Sequence, residues 1–246
     1  MVLEQPGLTA EGLVNLRDLG GLPTAGGATT RHGRLLRSES PHSLSEAGLR
    51  SLLEHGVGTV LDLRTDSERE RLPSPFAEVS TVDTLHTPLF DDSIEFPRHL
   101  ATASQVYLWW LRDLSAAVGA ALAAIADAQQ TPILVHCHAG KDRTGVVVAL
   151  VLRLAGVAVD AIADDYALSG VQLADMLARD RVSAVERGMD EVRAERLFTV
   201  RREAMEETLA GVDEEFGSVD AFLRRAGLSE ARIERLAGLM LADSWP

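Results

Sequence analysis

Residues 132–154 constrain the fold more than any other part of the chain. Pro132-Ile133-Leu134-Val135 is a short apolar run of β type. A polar, glycine-bearing stretch follows, His136-Cys137-His138-Ala139-Gly140-Lys141-Asp142-Arg143-Thr144-Gly145, and residues 146–154 are apolar again. A strand, a tight loop and a helix in direct succession predict a layered α/β structure. The helix is apolar on every side, so it has to be buried. Other strand-like runs fall at residues 34–37, 57–63 and 82–89, with the central strand at 131–137 and loop with short strand pieces over 1–33. Helices are expected over 45–55, 65–71, 104–128 and 143–155. Beyond Gly156 the chain reads as helices only, over 159–168, 171–187, 200–210, 218–226 and 229–241. We therefore expect one domain over 1–246: an α/β core, 1–156, with a central mixed sheet flanked by helices, and a helical C-terminal part, 157–246.

The loop has the make-up of an anion cradle. Backbone N–H groups at the entry to a helix point inward, and the helix dipole adds positive potential. Cys137 and Arg143 stand in it with five residues between them. A thiolate on the floor of such a cradle is stabilised and nucleophilic. Arginine presents a planar fork that matches two phosphate oxygens. Gly140 permits a close backbone approach or a positive φ. Thr144 can donate its hydroxyl to the sulfur when the cysteine leaves, and His136 can orient the cysteine from behind. The arrangement suits attack of sulfur on a phosphate ester, with phosphate held by His138, Ala139, Gly140, Lys141, Asp142, Arg143 and Thr144. The plain alternative is a buried cysteine at a strand end. A sulfur-transfer loop and a phosphate-docking module without turnover are two others.

Residues 136–145 resemble the signature loop of the cysteine-based protein tyrosine phosphatase superfamily. The version from Ala139 to Gly145 is similar to that of a bacterial, lipid-phosphatase-like branch. Three more segments resemble the same branch: Asn15-Leu16-Arg17-Asp18-Leu19-Gly20-Gly21, Val60-Leu61-Asp62-Leu63-Arg64 with Glu68, and Phe216-Gly217-Ser218 with Gly227-Leu228-Ser229. The resemblance implies a tyrosine-phosphatase-like fold and a cysteinyl-phosphate intermediate on Cys137, without a cofactor. It also implies substrates beyond phosphotyrosine: phosphoserine, phosphothreonine and phosphoinositide head groups. Ester cleavage by a thiolate needs a proton donor for the leaving oxygen. In this branch an aspartate inside the loop takes that part, here Asp142. The alternatives are that Asp142 only caps the following helix, or that Asp91 or Asp92, on an acidic loop, is the acid.

Supporting parts fall to residues with weaker signals. Lys141 adds positive charge at the rim for a second acidic group on the substrate, or is simply solvated. Asp62 and Arg64 end a strand beside the central one and brace the loop, or form an ordinary surface pair. Arg17 follows the same logic. Asp165, in Asp164-Asp165-Tyr166, resembles the branch's Asp-Tyr pair, which implies a place facing the pocket; helix packing is the alternative. Trp109 and Trp110 read as packing.

Composition sets the outer bounds. Of 246 residues, 46 % are hydrophobic and 4 % aromatic, so the core is built mostly of Leu, Val and Ala. The formal charge is −13, from 37 acidic and 24 basic residues, which disfavours nucleic acid and anionic membrane as standing partners. The partners expected are a phosphorylated protein or a small phosphoester. One cysteine permits no internal disulfide and fits a reducing compartment. Residues 1–12 lack a basic start and an apolar core, so no signal peptide is expected. The expected location is cytoplasmic, with export by a signal-independent route left open. No metal-ligand spacing is found.

Overall fold

The central strand expected at the cysteine loop lies in the middle of a five-stranded sheet. The structure, a computed structural model, describes residues 8–241. The parts of the loop and signal-peptide expectations that fall on residues 1–7 lie outside the described residues, as does the end of the chain, 242–246. The strands are β1 (Arg17–Asp18), β2 (Leu35–Ser38), β3 (Thr59–Asp62), β4 (Asp83–His86) and β5 (Ile133–His136). Their order is β1-β2-β5-β3-β4, with β1 antiparallel to β2 and every other pair parallel. The sheet is thus mixed, and β5 is buried on both faces, as its unbroken apolar run requires.

Side chains alternate across the sheet. Ile133 and Val135 join Leu35 and Leu61 in the large core, and Cys137 belongs to that face. Leu134 joins Leu36 and Val60 in a smaller core on the other. His136 is in register with Asp62, so those two share the second face, away from the cysteine.

The helices in the first part are α1 (Glu46–Glu54), α2 (Asp66–Arg71), α3 (Ala103–Asp113), α4 (Ser115–Asp127) and α5 (Asp142–Leu154). Ser45 caps α1 by accepting from Gly48 N, and Thr65 with Glu68 forms a capping box on α2. The single helix expected over 104–128 is two helices that cross at 85°. The apolar period runs on through the break, so periodicity alone does not reveal it. The chain bends at Leu114, and Gly119 in α4 then lies against the Ala226 carbonyl, where a Cβ would come within 2.4 Å of the oxygen.

The C-terminal part is helical as expected: α6 (Val159–Gln172), α7 (Ala174–Glu186), α8 (Glu191–Phe198), α9 (Arg202–Phe216), α10 (Val219–Arg225) and α11 (Glu230–Leu239). Several boundaries differ. α6 runs on to Gln172, so α7 starts later than expected, and α9 continues through Gly211 to Phe216. α8 was not expected at all; Asp190 caps it by accepting from Arg193 N. Helices α9, α10 and α11 add Met205, Leu209, Phe222, Leu236 and Leu239 to the large core. The helical part is therefore continuous with the α/β core. By contrast, α7 and α8 pack chiefly against each other.

Candidate active site

The loop between β5 and α5 is held from outside by its carbonyl oxygens. Asn15 Nδ2 donates to Ala139 O at 3.0 Å and to Gly140 O at 3.4 Å. Arg37 Nη2 donates to Gly140 O at 2.7 Å. A peptide plane sets C=O and N–H on opposite sides. Carbonyls tethered outward therefore leave N–H groups turned toward the hollow of the loop. Gly140 has φ +65°, and a Cβ there would lie 2.1 Å from Ser38 O. Only glycine fits both the backbone angle and that contact.

Asp165 anchors both tethers. It is buried and accepts from Arg17 Nε and from Arg37 Nη1, each at 2.6 Å. Arg17 Nη1 then donates to Asn15 Oδ1 at 2.6 Å. One carboxylate thus feeds two arms that end on the loop. Burial would raise the Asp165 pKa, but the two guanidiniums hold it below the usual carboxylate range. Burial lowers Arg17 to about 10. Arg17 and Asp165 were expected as supports; Arg37 was not, since nothing near it in sequence marks it as part of the loop.

Arg143 is fixed by Glu68. Nη1 and Nη2 donate to the two carboxylate oxygens at 2.6 and 2.7 Å, and Phe90 lies under the guanidinium, 5.0 Å from ring centre to Cζ. Burial opposes the Arg143 charge, but the Glu68 bonds and the nearby Cys137 sulfur more than offset this, so its pKa is raised. Burial likewise opposes the Glu68 charge, and the bond to Arg143 brings its pKa below the ordinary value.

Asp142 opens α5, yet its side chain makes no capping bond; the N-cap position is Lys141. The Asp142 carboxylate turns instead to Tyr107, whose hydroxyl donates to Oδ1, and to Lys141 Nζ at 3.3 Å. Lys141, expected at the rim, is 3 % exposed and points inward, with Nζ donating to Leu197 O of α8 at 3.0 Å. The ammonium also lies over the Phe198 ring, with Nζ 5.9 Å from its centre. The rim placement is therefore corrected: α8, absent from the sequence reading, supplies the acceptor that draws the ammonium in.

His136 does not reach the sulfur. Its ring lies on the opposite sheet face, where Nδ1 donates to Cys137 O at 3.3 Å and Nε2 is 3.8 Å from Asp62. Burial lowers the His136 pKa to about 4, only partly countered by Asp62. The Thr144 hydroxyl is buried and makes no hydrogen bond, so it stands uncommitted beside the loop. Asp62 and Arg64 are a buried pair and not a surface one. Arg64 donates to both Asp62 oxygens, to Ser40 Oγ and to Leu72 O, which ties the end of β3 to its neighbours. Asp92 accepts from Ser67 N and Oγ at the start of α2, and Asp91 accepts from Ser93. Both aspartates are spent locally. Trp109 and Trp110 pack with Phe90 and Phe96 as an aromatic cluster.

The site is covered. Cys137 is 1 % and Arg143 8 % exposed, and Ala139 packs against Leu173 and Leu177, with Met176, Phe198 and Val200 beside them. Among the described residues no group of three or more His, Cys, Asp or Glu side chains is placed to hold a metal, and no single helix is long and apolar enough to cross a membrane.

A model of the tyrosine phosphatase family matches residues 8–242. A Cupriavidus necator protein designated a tyrosine-protein phosphatase is 31 % identical over 245 residues, spanning 96 % of this chain and 88 % of its own. The triple specificity protein phosphatase PtpB of Mycobacterium tuberculosis is 31 % identical over 272 residues, spanning 94 % and 97 %. The solved core catalytic domain of the PP-IP phosphatase SIW14 from S. cerevisiae aligns over 60 % of this chain and 77 % of that one, at 19 % identity and a TM-score of 0.38. With a family match that runs through both the cysteine loop and the helical part, the chain belongs to the tyrosine phosphatase family.

Proposed function

We propose that the protein hydrolyses phosphate monoesters with Cys137 as nucleophile, Arg143 as the clamp on the phosphoryl oxygens and Asp142 as the proton donor. The Cys137 thiolate attacks phosphorus; the S–P bond forms as the ester P–O bond breaks, and Asp142 gives its proton to the leaving oxygen. Water then attacks the cysteinyl phosphate, Asp142 takes a proton from that water, and inorganic phosphate leaves with the thiolate restored. No step draws on a metal or cofactor. The observation that carries this reading is the tethered loop: carbonyls pulled outward by Asn15 and Arg37 while Glu68 fixes the arginine fork.

Asp142 is favoured over Asp91 and Asp92 because the latter two are engaged away from the loop. Breadth beyond phosphotyrosine, to phosphoserine, phosphothreonine and phosphoinositide head groups, is supported by the triple-specificity designation of the PtpB relative. With Lys141 bonded to Leu197, a second acidic group on a substrate would meet that lysine only once α8 has moved. Helices α7 and α8, which pack chiefly against each other, are the part of the cover able to swing aside as one piece. A lone cysteine supports a cytoplasmic location.

Turnover of para-nitrophenyl phosphate tests the reading. Wild type should hydrolyse it, and Cys137→Ser should lose activity by about a thousandfold or more while still binding vanadate or phosphate. Binding without turnover in wild type would leave a phosphate-docking module. Thiosulfate:cyanide transfer in place of phosphatase activity would point to sulfur chemistry.

A further inference from the structure

The chain contains two tyrosines and a single lysine, and all three converge on Asp142. Tyr107 comes from α3 and Tyr166 from α6, helices that reach the start of α5 from different parts of the chain. Both phenols are buried at 1 % exposure. A buried hydroxyl needs a partner. Here the two hydroxyls bond each other at 2.7 Å, and Tyr107 also bonds Asp142 Oδ1.

The direction of these bonds follows from the acceptor. An ionised carboxylate has no proton to give, so Tyr107 donates to Oδ1. Its single proton is then used, so Tyr166 donates to the Tyr107 oxygen. The result is a one-way chain from Tyr166 through Tyr107 to Asp142, whose members strengthen one another. Lys141 Nζ faces the same oxygen at 3.3 Å, and Arg143 is the adjacent cation. Among the described residues Oδ2 has no hydrogen-bond donor. Burial first, and the Asp142 charge second, raise the Tyr107 pKa well above its ordinary value; burial and Asp142 raise Tyr166 as well. Both therefore stay protonated, and Tyr107 stays a donor. Gly145 makes the arrangement fit: a Cβ there would lie 3.1 Å from Tyr166 Cδ2.

We propose that Tyr107, backed by Tyr166, is a positioning residue for acid catalysis: it occupies Oδ1 of Asp142, so that the transferable proton resides on Oδ2 and the carboxyl is held in one orientation. This rests on the reading of Asp142 as the proton donor. The pair acts through Asp142: Tyr107 bonds its Oδ1, and Tyr166 bonds Tyr107. Its contribution is to remove the rotational freedom that a half-exposed aspartate at a helix start otherwise has, and misplacement of a proton donor is costly when the leaving oxygen is basic.

The experiment is a leaving-group series, from para-nitrophenyl phosphate to phosphoserine, with wild type, Tyr107→Phe, Tyr166→Phe, Asp142→Asn and the Tyr107→Phe/Asp142→Asn double variant. Vanadate binding and thermal melts are measured on each. Tyr107→Phe should lose about tenfold more kcat on phosphoserine than on para-nitrophenyl phosphate, with vanadate affinity within about threefold of wild type. Tyr166→Phe should shift the ratio the same way by about two- to fivefold, and supplies the test if Tyr107→Phe does not fold. In the double variant the Tyr107 change should add no further leaving-group selectivity to that of Asp142→Asn, since the two act through one group. Equal losses on both esters in the tyrosine variants, with Asp142→Asn still selective, would overturn the proposal and leave Asp142 as the acid. A non-selective loss in Asp142→Asn would overturn the acid reading, and the tyrosine proposal with it.

Discussion

Glu68 holds both terminal nitrogens of Arg143, at 2.6 and 2.7 Å, and its Oε2 also accepts from Thr65 N at 2.9 Å. The residue that closes the capping box of α2 is thus the one that aims the arginine. The start of a short helix and the clamp for a phosphoryl group share a single carboxylate. Glu68→Gln should therefore lower kcat on para-nitrophenyl phosphate by roughly ten- to a hundredfold, because an amide cannot accept from both nitrogens of the fork. Steady-state kinetics with a melting curve would check this; an unchanged kcat would mean that the loop alone orients Arg143.

Arg143→Lys should cost about a thousandfold in kcat despite keeping the charge. An ammonium cannot grip Glu68 with one face and two phosphoryl oxygens with the other. Turnover near wild type would remove Arg143 from the clamp.

The two-armed tether gives a sharper prediction for Arg37. Arg37→Met removes the donor to Gly140 O and leaves Asp165 with one cation. Vanadate affinity should fall by about tenfold or more as the loop relaxes, and stability should fall by several kcal/mol, as for a broken buried pair. Titration calorimetry and urea melts measure the two separately. A stable variant with wild-type vanadate affinity would show that Asn15 suffices to hold the loop.

Gly140→Ala should abolish activity, since φ is +65° and the new Cβ would meet Ser38 O at 2.1 Å. The loop must move or β2 must, and either opens the cradle. Phosphate binding by titration is the direct readout.

Stability should fall on mild acidification in a way that traces to His136. Its pKa in the folded protein is lowered to about 4 by burial, against about 6.5 in the unfolded chain. Between those values the unfolded chain holds one proton more, so stability present above pH 6.5 is lost as the pH falls toward 4. The loss approaches roughly 3 kcal/mol for this one group. Urea melts from pH 7.5 to 4.5 on wild type and His136→Asn should show the wild type losing more over that span. Parallel losses would mean that His136 is not the source of the acid sensitivity.

What the sequence alone determined is local and periodic. The apolar run before Cys137, the glycine-bearing loop and the apolar helix after it dictate a buried strand, an anion cradle and a buried helix, because each depends only on neighbours a few residues apart. The cysteine, arginine and aspartate of the site are all legible there. The tertiary structure decided what holds them. Arg37 meets Asp165 across 128 positions, Arg143 meets Glu68 across 75, Tyr107 meets Asp142 across 35, and Lys141 meets Leu197 across 56. No periodicity or spacing links such pairs; they come together only when β2 and β5 pair and α3, α6 and α8 close around the start of α5. The break at Leu114 and the inward turn of Lys141 have the same origin. A helix bends where another element needs the room, and a charged side chain points to whichever buried acceptor the fold presents.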